Sequence, residues 1–110
     1  LVILQELFPG ETEFVVASSI LTGSLIETGD VVFCKRDGQL QVAELLLVFK
    51  IRDMPLAIVS FWETIRRDVC YSEHTAVLKP EIVSLQDVLQ SATYMLEYGK
   101  AAVLIPPELR

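Results

Sequence analysis

Residues 29–62 constrain the chain most. They read Gly29-Asp30, the β-prone run Val31 to Lys35, Arg36-Asp37-Gly38, an apolar run from Gln39 to Ile51, Arg52-Asp53-Met54-Pro55, and then Leu56 to Trp62. Compact turn signals thus separate consecutive runs of strand length. Asp37-Gly38 is the strongest hairpin signal, since a type I′ turn needs positive φ at both central residues. The middle run includes Ala43-Glu44-Leu45-Leu46-Leu47, a good helix former by propensity. Its ending in Val48-Phe49-Lys50-Ile51, and the turns that bound it, favour a strand instead. Near-continuous apolarity suits a strand buried on both faces, or one that bends round a barrel corner. Met54-Pro55 is expected to break the ladder, because proline has no N–H to donate.

The flanking segments extend this pattern. Leu1 to Phe8 reads as a short helix or a strand, ended by Pro9-Gly10. Glu13 to Leu21 is strand-like, Thr22-Gly23 marks a turn, and Thr28-Gly29-Asp30 marks another. Thr64 to Glu73 is polar, and its Arg66-Arg67 reads as a solvated loop. Thr75 to Leu78 is a short strand closed by Lys79-Pro80. Ser84-Leu85-Gln86-Asp87 has the form of a capping box, predicting a single helical turn to Gln90. Thr93 to Tyr98 and Ala101 to Ile105 form a last hairpin about Gly99-Lys100, stopped by Pro106-Pro107.

At 110 residues the chain is one domain by size. It starts at Leu1 rather than methionine and reads as a piece cut from a longer protein, with residues 1–10 a flanking interface segment. Hydrophobic residues make up 52%, too much for disorder and hard to hide in so small a domain. The excess is expected to lie against a partner, a second copy, or the rest of a longer protein. Candidate interface residues are Leu4, Leu7 and Phe8 near the start, or Val103 and Ile105 in a tail read as an edge strand open to strand addition. The net charge is −6, which disfavours phosphate backbones and therefore direct nucleic-acid binding. No apolar run approaches the ~18 residues of a membrane span.

Chemistry-bearing residues are sparse. Cys70 and His74 have no further ligands beyond Cys34 to complete a zinc site, and the same residues offer no nucleophile elbow or oxyanion hole. Cys34 and Cys70 read as buried, reduced thiols, with a disulfide as the alternative. No cofactor and no enzymatic activity are expected. Candidate binding residues are Arg66 and Arg67, which suit an acidic or phosphorylated ligand, and the aromatics Trp62, Tyr71 and Tyr94 at strand ends. Trp62 and Tyr71 with a neighbouring acid could line a cation cage, but ordinary barrel packing is the favoured reading.

The order of parts from Gly29 to Tyr98 resembles the bromo-adjacent homology (BAH) domain. Gly29-Asp30-Val31-Val32-Phe33 is similar to that family's entry strand, Val42 to Phe49 to its long strand, and Ile58 to Glu63 to its Trp-containing strand. Tyr71-Ser72-Glu73-His74 falls where the family often places a glutamate and a short polar segment. Val83 to Val88 followed by Thr93-Tyr94-Met95-Leu96 is similar to its closing elements. The segment between Trp62 and Val77 is shorter than is usual there, and the basic surface is missing. The resemblance implies a mainly β fold, a small, partly open SH3-like or BAH-like barrel of six to eight strands with one or two helical turns. It also implies a non-catalytic protein-interaction module of a nuclear, chromatin-associated protein. A nucleic-acid-binding or small-ligand-binding β-barrel domain is the alternative.

Overall fold

A computed structural model describes residues 15–21, 25–76 and 79–110. Leu4, Leu7 and Phe8, the Thr22-Gly23 turn, and Val77 and Leu78 lie outside the described residues. The fold is mainly β, with its core meander where the turn signals place it. Strands β4 (Val31–Arg36), β5 (Gln39–Ile51) and β6 (Met54–Phe61) are consecutive and antiparallel. Asp37 and Gly38 have φ of 52° and 78°, as a type I′ hairpin requires. The second turn differs from expectation. It is Arg52-Asp53 (φ 49° and 66°), and Pro55 lies within β6, opposite Lys50. Proline is tolerated there because the strand on the far side of β6, β9 (Pro80–Ser84), pairs no further than Leu56.

β5 organises the larger sheet, whose order is β10-β4-β5-β6-β9, with β10 spanning Val88–Ser91. One edge of β5 pairs first with β4 and then with β1 (Val15–Ala17), while its other edge pairs with β6 from Ala43 onward. A bulge between Leu45 and Leu47 lets so long a strand bend. Val31 and Phe33 of β4 join one buried cluster with Val42, Trp62, Ala101 and Val103. Val32 and Cys34 join another with Leu45, Val59 and Phe61, capped by Ile20 and Ile26. These last two come from the small hairpin β2 (Ser19–Leu21) and β3 (Leu25–Glu27). Burial on both faces explains why β4 has no alternation, and it absorbs part of the hydrophobic excess.

The chain changes sheet at two corners. After β6, the Trp62 amide donates to the Val42 carbonyl (2.9 Å), and β7 (Glu63–Arg67) starts a second sheet. After β10, the Ala92 amide donates to the Val31 carbonyl (2.7 Å), and β11 (Thr93–Glu97) joins that same sheet. Its order is β11-β12-β8-β7, with β8 at Tyr71–Thr75 and β12 at Lys100–Leu104. Arg66 and Arg67 therefore belong to a strand and not to a loop. The polar stretch pairs because Thr64 and His74 face each other across β7 and β8. The final turn is Tyr98-Gly99, one residue earlier than expected.

Other expectations are corrected here. Ser84 makes no side-chain cap, and Leu85–Asp87 is a 3-10 turn followed directly by β10, so the capping box is not formed. Too short for an α-helix, the turn leaves few orphan amides to cap. Val103 and Ile105 are 0% and 2% exposed, and β12 lies between β11 and β8. The tail is an inner strand, and the edge it was expected to supply belongs to β11. Twelve strands and two short 3-10 turns are found among the described residues, more than the six to eight strands expected, because both corners split long runs.

Leu45 is fully buried at the bulge and its amide donates to the Asp30 carbonyl (2.9 Å). Leu45→Ala should cost about 2–5 kcal/mol in chemical denaturation. Leu25→Ala, at a position 57% exposed, should change stability by no more than about 0.5 kcal/mol.

Candidate functional site

The second sheet has two unlike faces, set by the two-residue period of its strands. On β8, Ser72 and His74 point inward and are each 3% exposed, while Tyr71 and Glu73 point outward. The inward polar groups satisfy one another. Ser72 Oγ and His74 Nε2 are 2.7 Å apart, and His74 Nδ1 lies 3.4 Å from Thr64 Oγ1. A void of about 10 Å³ beside them, also lined by Arg67 and Gln41, has room for about one water. The Ser72–His74 spacing is that of a nucleophile and its base, but a substrate reaches neither atom without opening the sheet. Burial holds the His74 pKa below its ordinary value, and the charge of Arg67 adds to the effect.

The outward face carries an apolar band. Its cross-strand rows are Tyr71–Leu104–Thr93 and Glu73–Ala102–Met95. All of these but Glu73 line a shallow groove of about 320 Å³, with Met95 68% and Leu104 54% exposed. Beside it Arg66 donates to the Tyr71 hydroxyl, stacks 5.3 Å from the centre of that ring, and lies 3.5 Å from both Asp68 and Glu73. A hydrogen bond to Asp68 raises the Tyr71 pKa, and Arg66 opposes that shift. A polar cleft of about 470 Å³ lies elsewhere, along Gln41, Thr64 and Lys79. Its Arg36 is engaged by Glu81 and by the Phe61 ring at 4.6 Å.

The candidate binding residues fall in three places. Trp62 is buried at 8% exposure and meets Tyr94 edge-on, with ring centroids 5.8 Å apart. Tyr71 and Arg66 lie on the opposite face of the sheet. Arg67 reaches the Leu40 carbonyl at 3.3 Å. Trp62 and Tyr71 thus have the sheet between them and do not form a cation cage. Cys70 is exposed, whereas Cys34 is buried and its thiol is pushed up to about 11 by burial and by Asp87. The two are not bonded to each other, and Cys70 is not the buried thiol expected. Among the described residues no cluster of three metal-ligating side chains occurs, and no helix is long and apolar enough to cross a membrane.

Sequence reading missed Ser72 as the partner of His74, and Met95 and Leu104 as surface residues. Placing Tyr71 to Thr75 in a strand would have put Ser72 and His74 on one face. No family model, no curated protein and no solved structure matches this chain.

His74 yields a pH prediction. Below the ordinary imidazole value of 6.5 the unfolded chain takes up a proton that the folded chain resists, so stability falls with pH. The thermal midpoint should drop between about pH 7.5 and about pH 5.5, above the range where carboxylates titrate. In His74→Gln that drop should be smaller, although the midpoint at the upper pH is itself lowered by the altered packing.

Proposed function

We propose that the chain is a non-catalytic protein-interaction module. The supporting observation is the outward face of the β11-β12-β8-β7 sheet. Met95 and Leu104, 68% and 54% exposed, lie on it, and the edge strand β11 also exposes Tyr94 and Leu96, which point to the opposite face. Exposed apolar groups gathered in one place mark an interaction surface more often than scattered ones do. The groove is apolar and open, and it suits a chain of side chains better than a small molecule, which needs enclosure and convergent polar groups. The net charge of −6 favours a protein over nucleic acid.

The resemblance of residues 29–98 to the BAH family extends this reading. On it, the two sheets joined at Trp62 and Ala92 correspond to a distorted, partly open barrel, and the protein is nuclear and chromatin-associated. The surface would then contact a protein component rather than the nucleosomal DNA.

Leu104 tests the reading because it is central to the band yet exposed. Proteins cross-linked to the tagged chain in nuclear extract should be captured at least tenfold less by Leu104→Asp, with the circular dichroism spectrum unchanged. Equal capture by the folded variant and the parent chain would contradict the assignment of this face.

A further inference from the structure

Among the described residues five strands stand at the edges of the two larger sheets, and four of them are guarded against further pairing. β1, which pairs only with β5, is just three residues long. β9 opens with Pro80, β10 has a bulge between Val88 and Gln90, and β7 has a bulge between Thr64 and Arg66 together with two arginines. Natural edges are blunted by such devices. β11 has none of them. It runs Thr93-Tyr94-Met95-Leu96-Glu97 without proline, bulge or cation, and each of its residues is exposed.

We propose that β11 pairs antiparallel with β11 of a second copy of this chain, about a two-fold axis at Met95. The inference rests on the reading of this sheet as an interaction surface and names the occupant of its edge. Tyr98-Gly99 is a two-residue turn with positive φ at both positions, so its flanking pair Glu97–Lys100 is a hydrogen-bonded one. Bonding to β12 then alternates along β11, through Thr93, Met95 and Glu97. The backbone N–H and C=O groups of Tyr94 and Leu96 are left facing the open edge. In the two-fold register Tyr94 meets the second copy's Leu96, and Leu96 meets its Tyr94, so every group on the open edge is paired. Half-exposed Tyr94 and 70% exposed Leu96 cover one another, an aromatic against an aliphatic on each side of the axis.

The charges permit this approach. Glu97 is the only charged residue of β11, and it falls opposite Thr93 of the second copy. The two Glu97 residues stand at opposite ends of the ladder, on the order of 13 Å apart along the strand, beyond the Debye length of about 8 Å at physiological salt. Each is also paired across its own sheet with Lys100. At the axis the Met95 side chains form a non-hydrogen-bonded pair, with Cα atoms about 4.5 Å apart. The apolar band of Met95, Ala102 and Leu104 continues from one copy into the other. A five-residue ladder makes a small interface, so the dimer is expected to be weak and concentration-dependent.

Sedimentation equilibrium of the 110-residue chain tests this. The weight-average mass should rise toward twice the monomer mass with concentration. Met95→Lys brings two cations together at the axis and should weaken association at least tenfold, and Met95→Glu should do the same with two anions. An equimolar mixture of the two variants should recover the dimer, because the register sets lysine directly opposite glutamate. A Tyr98→Lys control, in the turn and off the ladder, should associate like the parent chain. Association that ignores Met95→Lys, or a mixture that does not recover, would overturn the β11 register while leaving the sheet face as a protein-binding surface. A chain monomeric at every concentration would overturn the dimer. Failure of the nuclear-extract capture would instead overturn the interaction reading itself.

Discussion

The structure depends on β5 pairing along both edges while burying both faces. A strand of this kind must be apolar almost throughout, and Gln39 to Ile51 is. It must also change partners, because neither β4 nor β1 is long enough to satisfy one whole edge. The bulge at Leu46 and the hydrogen bonds joining Leu45 to Gly29 and Asp30 manage that change. Unpaired amides in such a place would each cost about 1–3 kcal/mol, so the turn before β4 is as much a part of this strand's support as its neighbours are.

From that spine the chain leaves at Trp62 and Ala92, and the second sheet follows from these exits. Each corner keeps a backbone hydrogen bond to the first sheet while its residue packs into the space between the two. The second sheet thereby gains one covered face, carrying Val103, Ala101, Ser72 and His74. Its other face and its β11 edge have no cover among the described residues. The functional reading grows from that asymmetry. A sheet that had to be covered on both sides, like the first, would have offered nothing to a partner.

The meander was legible in the sequence because Asp37-Gly38 and the apolar runs act locally. The long run reads as a strand despite its helical propensity, since its ending and the turns that bound it outweigh that propensity. Pro55 misled because its effect depends on where β9 stops, a long-range fact. The polar stretch from Thr64 to Glu73 hid two strands, since a pairing held by Thr64, His74, Arg66 and Glu73 has no apolar period to announce it. The tail misled for a related reason. Val103 to Ile105 is no more apolar than an edge strand can be, and only the topology shows β11 outside it. Sequence reading found Trp62 and Tyr94 without indicating that one ring is buried and the other only partly covers it.

Amide hydrogen exchange, resolved by residue in dilute solution, tests the division between spine and edge most directly. Ala43, Leu45, Val48 and Val59 should be the slowest amides, opening only with global unfolding. Tyr94 and Leu96 should exchange orders of magnitude faster, and slow down as the protein is concentrated. Tyr94 and Leu96 amides as protected in the dilute chain as that of Val59 would mean that β11 is already covered, and would contradict the account.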